Sequence, residues 1–495
     1  MNNFNLKQTF RTTRIMLYAV IFALTLTSCS TPKPVVDRSM PPALGAPPSF
    51  STPEIAHLKL SNGLPVTLFE KHNVPIVQMN LIVNTASIMD PEGKEGLASM
   101  TATMMDEGAG EYDALALADA IDFLGASISV NAGRHTTVIS LNSTLARFDD
   151  ALKLFADILL KPSFPEKELE RIKKERLNSL IQRHDEARQI ASILFRRTLF
   201  GEDHPYGREN FGTESSLKSF RRDDLISFYR SYFKPNNASL IVVGDVDPQA
   251  LLPKLESILG SWEAAEVNSV EVPVPVQVEG RKVYLVDKPG AAQSVVRIGR
   301  IGVDRYSDDY FPIVVMNTIL GGSFASRLNQ NLREEHGYTY GARSFFSFRH
   351  VPGAFGASAD VQTDVTKEAL TEFFKELNGI LEDVTEAEMT RAKNFVALRF
   401  PARFQTVGSI AGQLTELEVY DLPDEYYDTY VGNVLSVTKD DVLRVARKYV
   451  VPENVAVIIV GDREKIETGI DELGLGEIVN LTIEEVLGKL PVIED

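Results

Sequence analysis

Tyr232-Phe-Lys-Pro235-Asn-Asn237-Ala-Ser-Leu-Ile-Val-Val-Gly244-Asp245 returns 217 residues later as Tyr449-Val-Val-Pro452-Glu-Asn454-Val-Ala-Val-Ile-Ile-Val-Gly461-Asp462. The residues ahead of each copy keep the same offset: Ser219-Phe-Arg-Arg-Asp223-Asp224-Leu225 matches Ser436-Val-Thr-Lys-Asp440-Asp441-Val442. Further back, Glu166, Glu168, Arg171 and Lys173 recur as Glu386, Glu388, Arg391 and Lys393, now 220 residues apart. Solenoid repeats are about 20–50 residues long, so this period marks a duplicated domain. Each copy predicts the same local run. A Ser/Thr-x-x-Asp start opens an amphipathic helix. A Pro-Asn turn then leads into an apolar run that reads as a buried strand ending at Gly-Asp.

Outward from the first copy, Val66–Phe69 and Ile76–Val83 alternate like the strands of a hairpin. Helical periodicity fills Leu97–Met105, Ala114–Leu124, Leu145–Leu160 and Leu169–Gln182. The expected fold is α+β: two homologous domains, each a mostly antiparallel sheet packed with helices. The domains are placed at 54–263 and 281–478. The Val-, Pro- and Glu-rich stretch 264–280 is the linker and 479–495 a C-terminal tail.

With 495 residues, 44% of them apolar and 24% charged, the chain can bury two ordinary globular cores. Its formal net charge of −17 argues against nucleic acid and against a broad anionic membrane surface as partners. Such acidity would suit basic peptides, but it is also a common device for solubility.

The N-terminus reads as a targeting segment. Lys7, Arg11 and Arg14 precede an apolar stretch, Ile15–Leu26, too short for a stable span, which ends at Leu26-Thr27-Ser28-Cys29. This resembles a bacterial lipoprotein signal: residues 1–28 would be removed and Cys29 lipidated. Cys29 is the only cysteine, so no internal disulfide can form. Ser30, in place of Asp, resembles the pattern for outer-membrane sorting. Residues 29–53 carry Pro41-Pro42 and Pro47-Pro48 and read as an extended tether. The expectation is a bacterial envelope protein facing the periplasm, held by lipid only, at the outer membrane in preference to the inner.

The duplication, the segment Gly93-Lys-Glu-Gly96-Leu97-Ala98 and His204-Pro-Tyr-Gly207 together resemble the pitrilysin/insulinase family of zinc peptidases. So do Gly321-Gly322-Ser-Phe-Ala-Ser326-Arg327-Leu and Leu332-Arg333-Glu334-Glu-His-Gly337-Tyr338-Thr-Tyr340. The likeness covers about residues 54–478, and mitochondrial processing peptidase belongs to the same family. Active members carry His-x-x-Glu-His on a helix of the first domain, two His one turn apart with Glu as general base, and a third ligand, a Glu, on another helix. Aligned on Gly96-Leu97-Ala98, this chain has Ser99, Ala102 and Thr103 at the three motif positions. Alanine cannot bind zinc or take a proton from water, and hydroxyls are poor zinc ligands.

No other arrangement replaces the motif. The seven histidines are His57, His72, His135, His184, His204, His336 and His350, and no two stand at i,i+3 or i,i+4. Glu168, Glu170 and Glu175 read as a solvated helix face, and Asp106-Glu107 as the end of a helix before Gly108. His204 gains no catalytic role from the resemblance, and Tyr338 reads as packing. Gly321-Gly322 reads as a close backbone passage, since the Lys-Ser/Thr of a phosphate loop is missing. Phe345, Phe346 and Phe348 read as core or domain interface. No metal or cofactor is expected in this chain.

What the second domain retains is an Arg and a Tyr seven residues apart, Arg333 and Tyr340. The resemblance implies that Arg333 holds substrate carbonyls and that Tyr340 donates to the tetrahedral oxyanion. Groups so aimed supply a few kcal/mol to a transition state; the plain alternative is that both cap and pack a helix end. Some members work as pairs, one chain holding the zinc motif and the other the substrate-facing domain. The expectation is therefore a non-zinc subunit, inactive alone. It would supply Arg333 and Tyr340 in trans for peptide hydrolysis to a zinc-bearing family partner acting on a peptide or unfolded protein. The alternative is a non-enzymatic scaffold or peptide-binding envelope lipoprotein.

Overall fold

The computed structural model describes residues 54–492, together with Met16. Cys29 and the segment read as signal and tether lie outside the described residues, Met16 aside. No helix among the described residues is long and apolar enough to cross a membrane.

The first domain holds a six-stranded sheet of β1 (Ala56–Lys59), β2 (Pro65–Glu70), β3 (Ile76–Val83), β4 (Ser127–Ala132), β5 (Thr137–Thr144) and β6 (Ala238–Gly244). Their spatial order is β1-β2-β6-β3-β5-β4. The second holds β7 (Lys282–Asp287), β8 (Gln293–Ile301), β9 (Thr339–Phe346), β10 (Ala354–Gln362), β11 (Ala456–Gly461) and β12 (Glu477–Leu481). Read from the opposite edge, its order is β12-β7-β11-β8-β10-β9. Strands β2 to β6 map one to one onto β7 to β11, so the duplication seen in sequence is a duplication of topology. Pairing is antiparallel except for β2·β6, β7·β11 and β7·β12. The fold is thus two mixed α/β domains with mostly antiparallel sheets.

Val66–Phe69 and Ile76–Val83 are not a hairpin: β6 lies between them, parallel to β2 and antiparallel to β3. Alternation reports that a strand has two faces, not which strand lies beside it. Nor are residues 479–495 a tail throughout. Glu477–Leu481 adds β12 to the sheet edge, and Ile483–Leu487 forms a helix whose Val486 joins a buried cluster. The capping motif is complete only in the second copy. Thr438 and Asp441 satisfy each other's backbone N–H, whereas the first copy has Arg221 at the cap, where only Asp224 accepts.

Helices α1 (Leu97–Met104), α2 (Ala114–Phe123), α3 (Phe148–Leu160), α4 (Glu166–Arg183), α5 (Ala187–Phe200), α6 (Glu214–Ser219), α7 (Arg222–Tyr232) and α8 (Pro248–Leu259) belong to the first half. The second carries α9 (Tyr310–Leu320), α10 (Thr366–Glu382), α11 (Glu386–Arg399), α12 (Val407–Val419), α13 (Tyr426–Ser436), α14 (Lys439–Tyr449) and α15 (Arg463–Asp471). One face of each sheet is covered by helices of its own half. Leu240 and Val242 of β6 pack with α1, α3 and α7, while Val457 and Ile459 of β11 pack with α9, α10 and α14.

The other faces are covered reciprocally. Ile190, Ile193, Leu194 and Phe195 of α5 cover Val286, Val295, Ile458 and Val460 of the second sheet. Val407, Ile410, Ala411 and Leu414 of α12 share a core with Phe69, Ile82, Ile241 and Val243 of the first. The docking is specific. Gly299 and Gly356 face each other across β8 and β10. A Cβ at Gly299 would come within 2.6 Å of the Phe195 ring, and one at Gly356 within 3.2 Å. Between the halves, residues 263–280 form no helix or strand. They are pinned where Gln277 pairs with the backbone of Ile301 and where His204 Nε2 bonds the Pro273 carbonyl.

Candidate functional site

Helix α1 carries the positions where zinc ligands would be sought. The chain reaches it through Gly96, whose φ is +88° and whose Cβ would strike the backbone of Gly212 at 2.5 Å. Glycine is required here twice over, by conformation and by space. Asp90 caps the helix, its carboxylate accepting from Gly96 N at 2.7 Å and Ala98 N at 2.8 Å. Burial pushes the Asp90 pKa up to about 7, against the pull of those two N–H groups.

Between the would-be ligand positions lies a side chain that the sequence reading passed over. Arg176 of α4, only 6% exposed, donates from Nη2 to Thr103 Oγ1 at 2.8 Å, Ser99 O at 3.0 Å and Ser99 Oγ at 3.2 Å. Its Nη1 donates to Phe211 O at 3.1 Å, and its guanidinium lies over the Phe211 ring. Thr103 Oγ1 in turn donates to Ser99 O at 3.0 Å. Ala102 is buried and offers no polar atom. Burial draws the Arg176 pKa down to about 10, still far above neutrality, so a fixed positive charge stands against Ser99 and Thr103. A dication would meet that charge, two hydroxyls and a methyl group; the residues present do not fit zinc.

The neighbouring acids are engaged elsewhere. Arg171 binds Glu107, Glu168 and Glu175 at 2.5–2.8 Å, and Lys173 binds Glu170 at 2.8 Å. Burial raises the Asp106 pKa to about 6, with Glu107 adding to the rise. His204 is buried, accepting on Nδ1 from the Tyr206 amide. Among the described residues no group of three or more His, Cys, Asp or Glu is placed to hold a metal ion.

Arg333 and Tyr340 sit in a different setting. Arg333 lies in a π-helical turn, Gln330–Glu335, which the buried Leu328 and Leu332 anchor. Asn331 pins the turn to α10 by donating to Glu372 and Glu376, both at 2.7 Å. The Arg333 guanidinium lies 4.6 Å from the ring centre of Phe324, itself 63% exposed, and pairs with Glu334 at 3.2 Å. Five residues past that turn, β9 bulges: Thr339 faces Val361 and Ala342 faces Ala359, leaving Tyr340 and Gly341 opposite Asp360 alone. The Thr339 hydroxyl holds the bulge, donating to Asp360 O at 2.7 Å and accepting from Gly341 N at 3.1 Å. Tyr340 is 93% exposed. A π turn and a β-bulge are devices that re-aim side chains and recur at functional sites.

Other aromatic residues singled out from sequence are structural. Tyr338 stacks on His336, and Phe346 packs against Phe348 and Phe355. Gly321 is a close passage, since a Cβ there would meet Ser344 N at 2.2 Å.

Comparison with known proteins agrees with this fold and with the altered motif. Residues 66–203 match the family model described as insulinase (peptidase family M16), and residues 219–396 that described as peptidase M16 inactive domain. An uncharacterized zinc protease of Rickettsia bellii is 24% identical over 68% of this chain and 80% of its own length. A non-peptidase homolog, YmxG, of Helicobacter pylori is 22% identical over 81% of this chain and 93% of its own. A mitochondrial-processing peptidase subunit beta of Lentinula edodes is 23% identical over 81% and 89% respectively. The crystal structure of a peptidase M16 inactive domain from Pseudomonas fluorescens superimposes with a TM-score of 0.77 at 24% identity, covering 82% of this chain and 98% of that one. This chain belongs to the insulinase (M16) peptidase family and lacks that family's zinc motif.

Proposed function

We propose that this chain is the non-zinc subunit of a heteromeric zinc peptidase and lends Arg333 and Tyr340 to an active site whose metal the partner holds. One observation carries the reading: the Tyr340 phenol stands 93% exposed on a bulge beside an anchored turn bearing Arg333, while a guanidinium closes the chain's own metal position. An isolated solvated tyrosine does nothing for stability, so its placement makes sense as half of a site. The Lentinula relative is by name a subunit of a peptidase, which favours a paired assembly. In the pair, Arg333 would hold a substrate carbonyl, and Tyr340 would donate to the oxyanion as it forms. The substrate is a peptide or an unfolded segment enclosed between the two chains. Lipidation at Cys29 would place the complex on an envelope membrane, facing the periplasm.

The relative named a non-peptidase homolog favours a second reading, a peptide-binding scaffold without hydrolysis. The two separate in one experiment. Tagged chain is recovered from its native envelope, and zinc and peptide hydrolysis are measured on the eluate. Zinc and activity should arrive with a second chain bearing His-x-x-Glu-His. Tyr340→Phe should then lower turnover about 100-fold without loosening assembly. A chain recovered alone, metal-free and inert, establishes the scaffold.

A further inference from the structure

Beside the Tyr340–Gly341 bulge the surface opens into a cleft of about 350 Å³. Its charged lining comes from three elements of the second sheet and one helix of the other domain: Arg297 (β8), Arg343 (β9), Asp360 (β10) and Arg188 of α5. Three guanidiniums therefore face one carboxylate. That carboxylate is already taken, since Arg188 Nε binds Asp360. Among the described residues Arg297 Nε is buried without a hydrogen-bond partner. Burial lowers the Arg297 pKa, opposed by Asp360 and assisted by the charges of Arg343 and Arg188.

This gathering of positive charge is costly for the fold alone. The chain carries a net charge of −17, yet the cleft has a local excess of two positive charges. Arg188 lies in the first turn of α5, where the helix dipole disfavours a cation. A guanidinium lining such a cleft offers charge-assisted donors that match a carboxylate's oxygens. The cleft's backbone wall is Gly341 and Ala342, so an occupant would lie immediately beside Tyr340.

We propose that Arg297 and Arg343, with Arg188 behind them, bind a carboxylate of the peptide whose scissile bond lies at Tyr340. The carboxylate is an acidic side chain or the peptide's C-terminus. This rests on the peptide-binding role proposed above and adds a specificity to it.

The test uses the full chain and three labelled peptides of equal length, read by fluorescence anisotropy. One has a central Glu and an amidated C-terminus, one a central Gln and a free C-terminus, and one Gln with amidation. One or both charged peptides should bind about tenfold or more tightly than the neutral one, a typical gain for a charge-assisted pair. Which of the two does so names the source of the carboxylate. Arg343→Gln, an exposed change, should abolish the preference while leaving the melting temperature unchanged. Arg297→Gln should do the same if it folds. Succinate, titrated alone by thermal shift, separates this proposal from the one it rests on. If succinate stabilises the wild type but not Arg343→Gln while no peptide binds, the carboxylate site stands and the peptide reading falls. Equal binding of all three peptides, or a preference that survives Arg343→Gln, overturns the proposal.

Discussion

The two halves share a topology and have treated their surfaces in opposite ways. On α1 of the first half, the ground for a metal is closed by a buried Arg176 whose donors reach Ser99 and Thr103. At the β9 bulge of the second, Tyr340 stands in water and Arg333 rests on the Phe324 ring face and beside Glu334. One duplicated fold thus carries a closed motif position in one half and an exposed Arg–Tyr pair in the other. Losing a metal site is more than losing ligands. The polar atoms at the motif positions must be satisfied, and here Arg176 of α4 does that with a positive charge that opposes a metal ion.

The sharpest way to break this comparison is to rebuild the motif. Ser99→His, Ala102→Glu and Thr103→His together should leave the chain zinc-free while Arg176 remains. Adding Arg176→Glu should turn zinc content, read by atomic emission, from background to near-stoichiometric. Zinc uptake by the triple variant alone would mean that Arg176 does not guard the site. Next in size is Phe195→Ala, which empties the slot over Gly299 and Gly356. It should cost about 3–5 kcal/mol in urea unfolding and loosen the two halves together. Arg176→Met strands the Phe211 carbonyl and removes the donor to Ser99 Oγ and Thr103 Oγ1, with an expected cost of about 1–3 kcal/mol by the same measurement.

The smallest effect concerns pH. His135, at the tip between β4 and β5, is hydrogen-bonded to Tyr206 at 2.6 Å and packs edge-on against His350 of the other half. Burial first, then His350 and the nearby arginines, push its pKa down to about 3. Between pH 6.5 and 3 the unfolded chain therefore binds a proton that the folded chain refuses, so stability falls as pH drops through that window. His135→Gln should remove about 1.5 kcal/mol of the loss between pH 6.5 and 5, seen as a shallower fall of melting temperature than in the wild type.

The sequence was informative where residue identity itself was the signal. The 217-residue offset fixed the duplication, and the Gly-Lys-Glu-Gly segment located α1 and its missing ligands. Arg176 was not legible. It lies in a helix of alternating Glu, Lys and Arg, where a buried arginine cannot be told from its solvated neighbours without the backbone of Phe211 beside it. The exchange of α5 and α12 was hidden for a similar reason. An apolar helix face shows that a sheet is covered, not whose sheet. Residues 479–481 of β12 read as tail because a short, half-exposed edge strand carries little apolar signal. The bulge at Tyr340 and Gly341 depends on register, which only the paired strand β10 reveals.

The reciprocal exchange of α5 and α12 has a consequence in time. The first sheet is complete once Gly244 is made, yet the helix that covers its second face ends at Val419, 175 residues later (419 − 244). In a chain delivered N-terminus first, whether from a ribosome or through a membrane, Phe69, Ile82, Ile241 and Val243 stay uncovered until α12 follows. Through that interval the chain presents an apolar sheet face to whatever is near it. A holding chaperone has most to offer then, and a chain cut short anywhere between the two sites cannot hide its core.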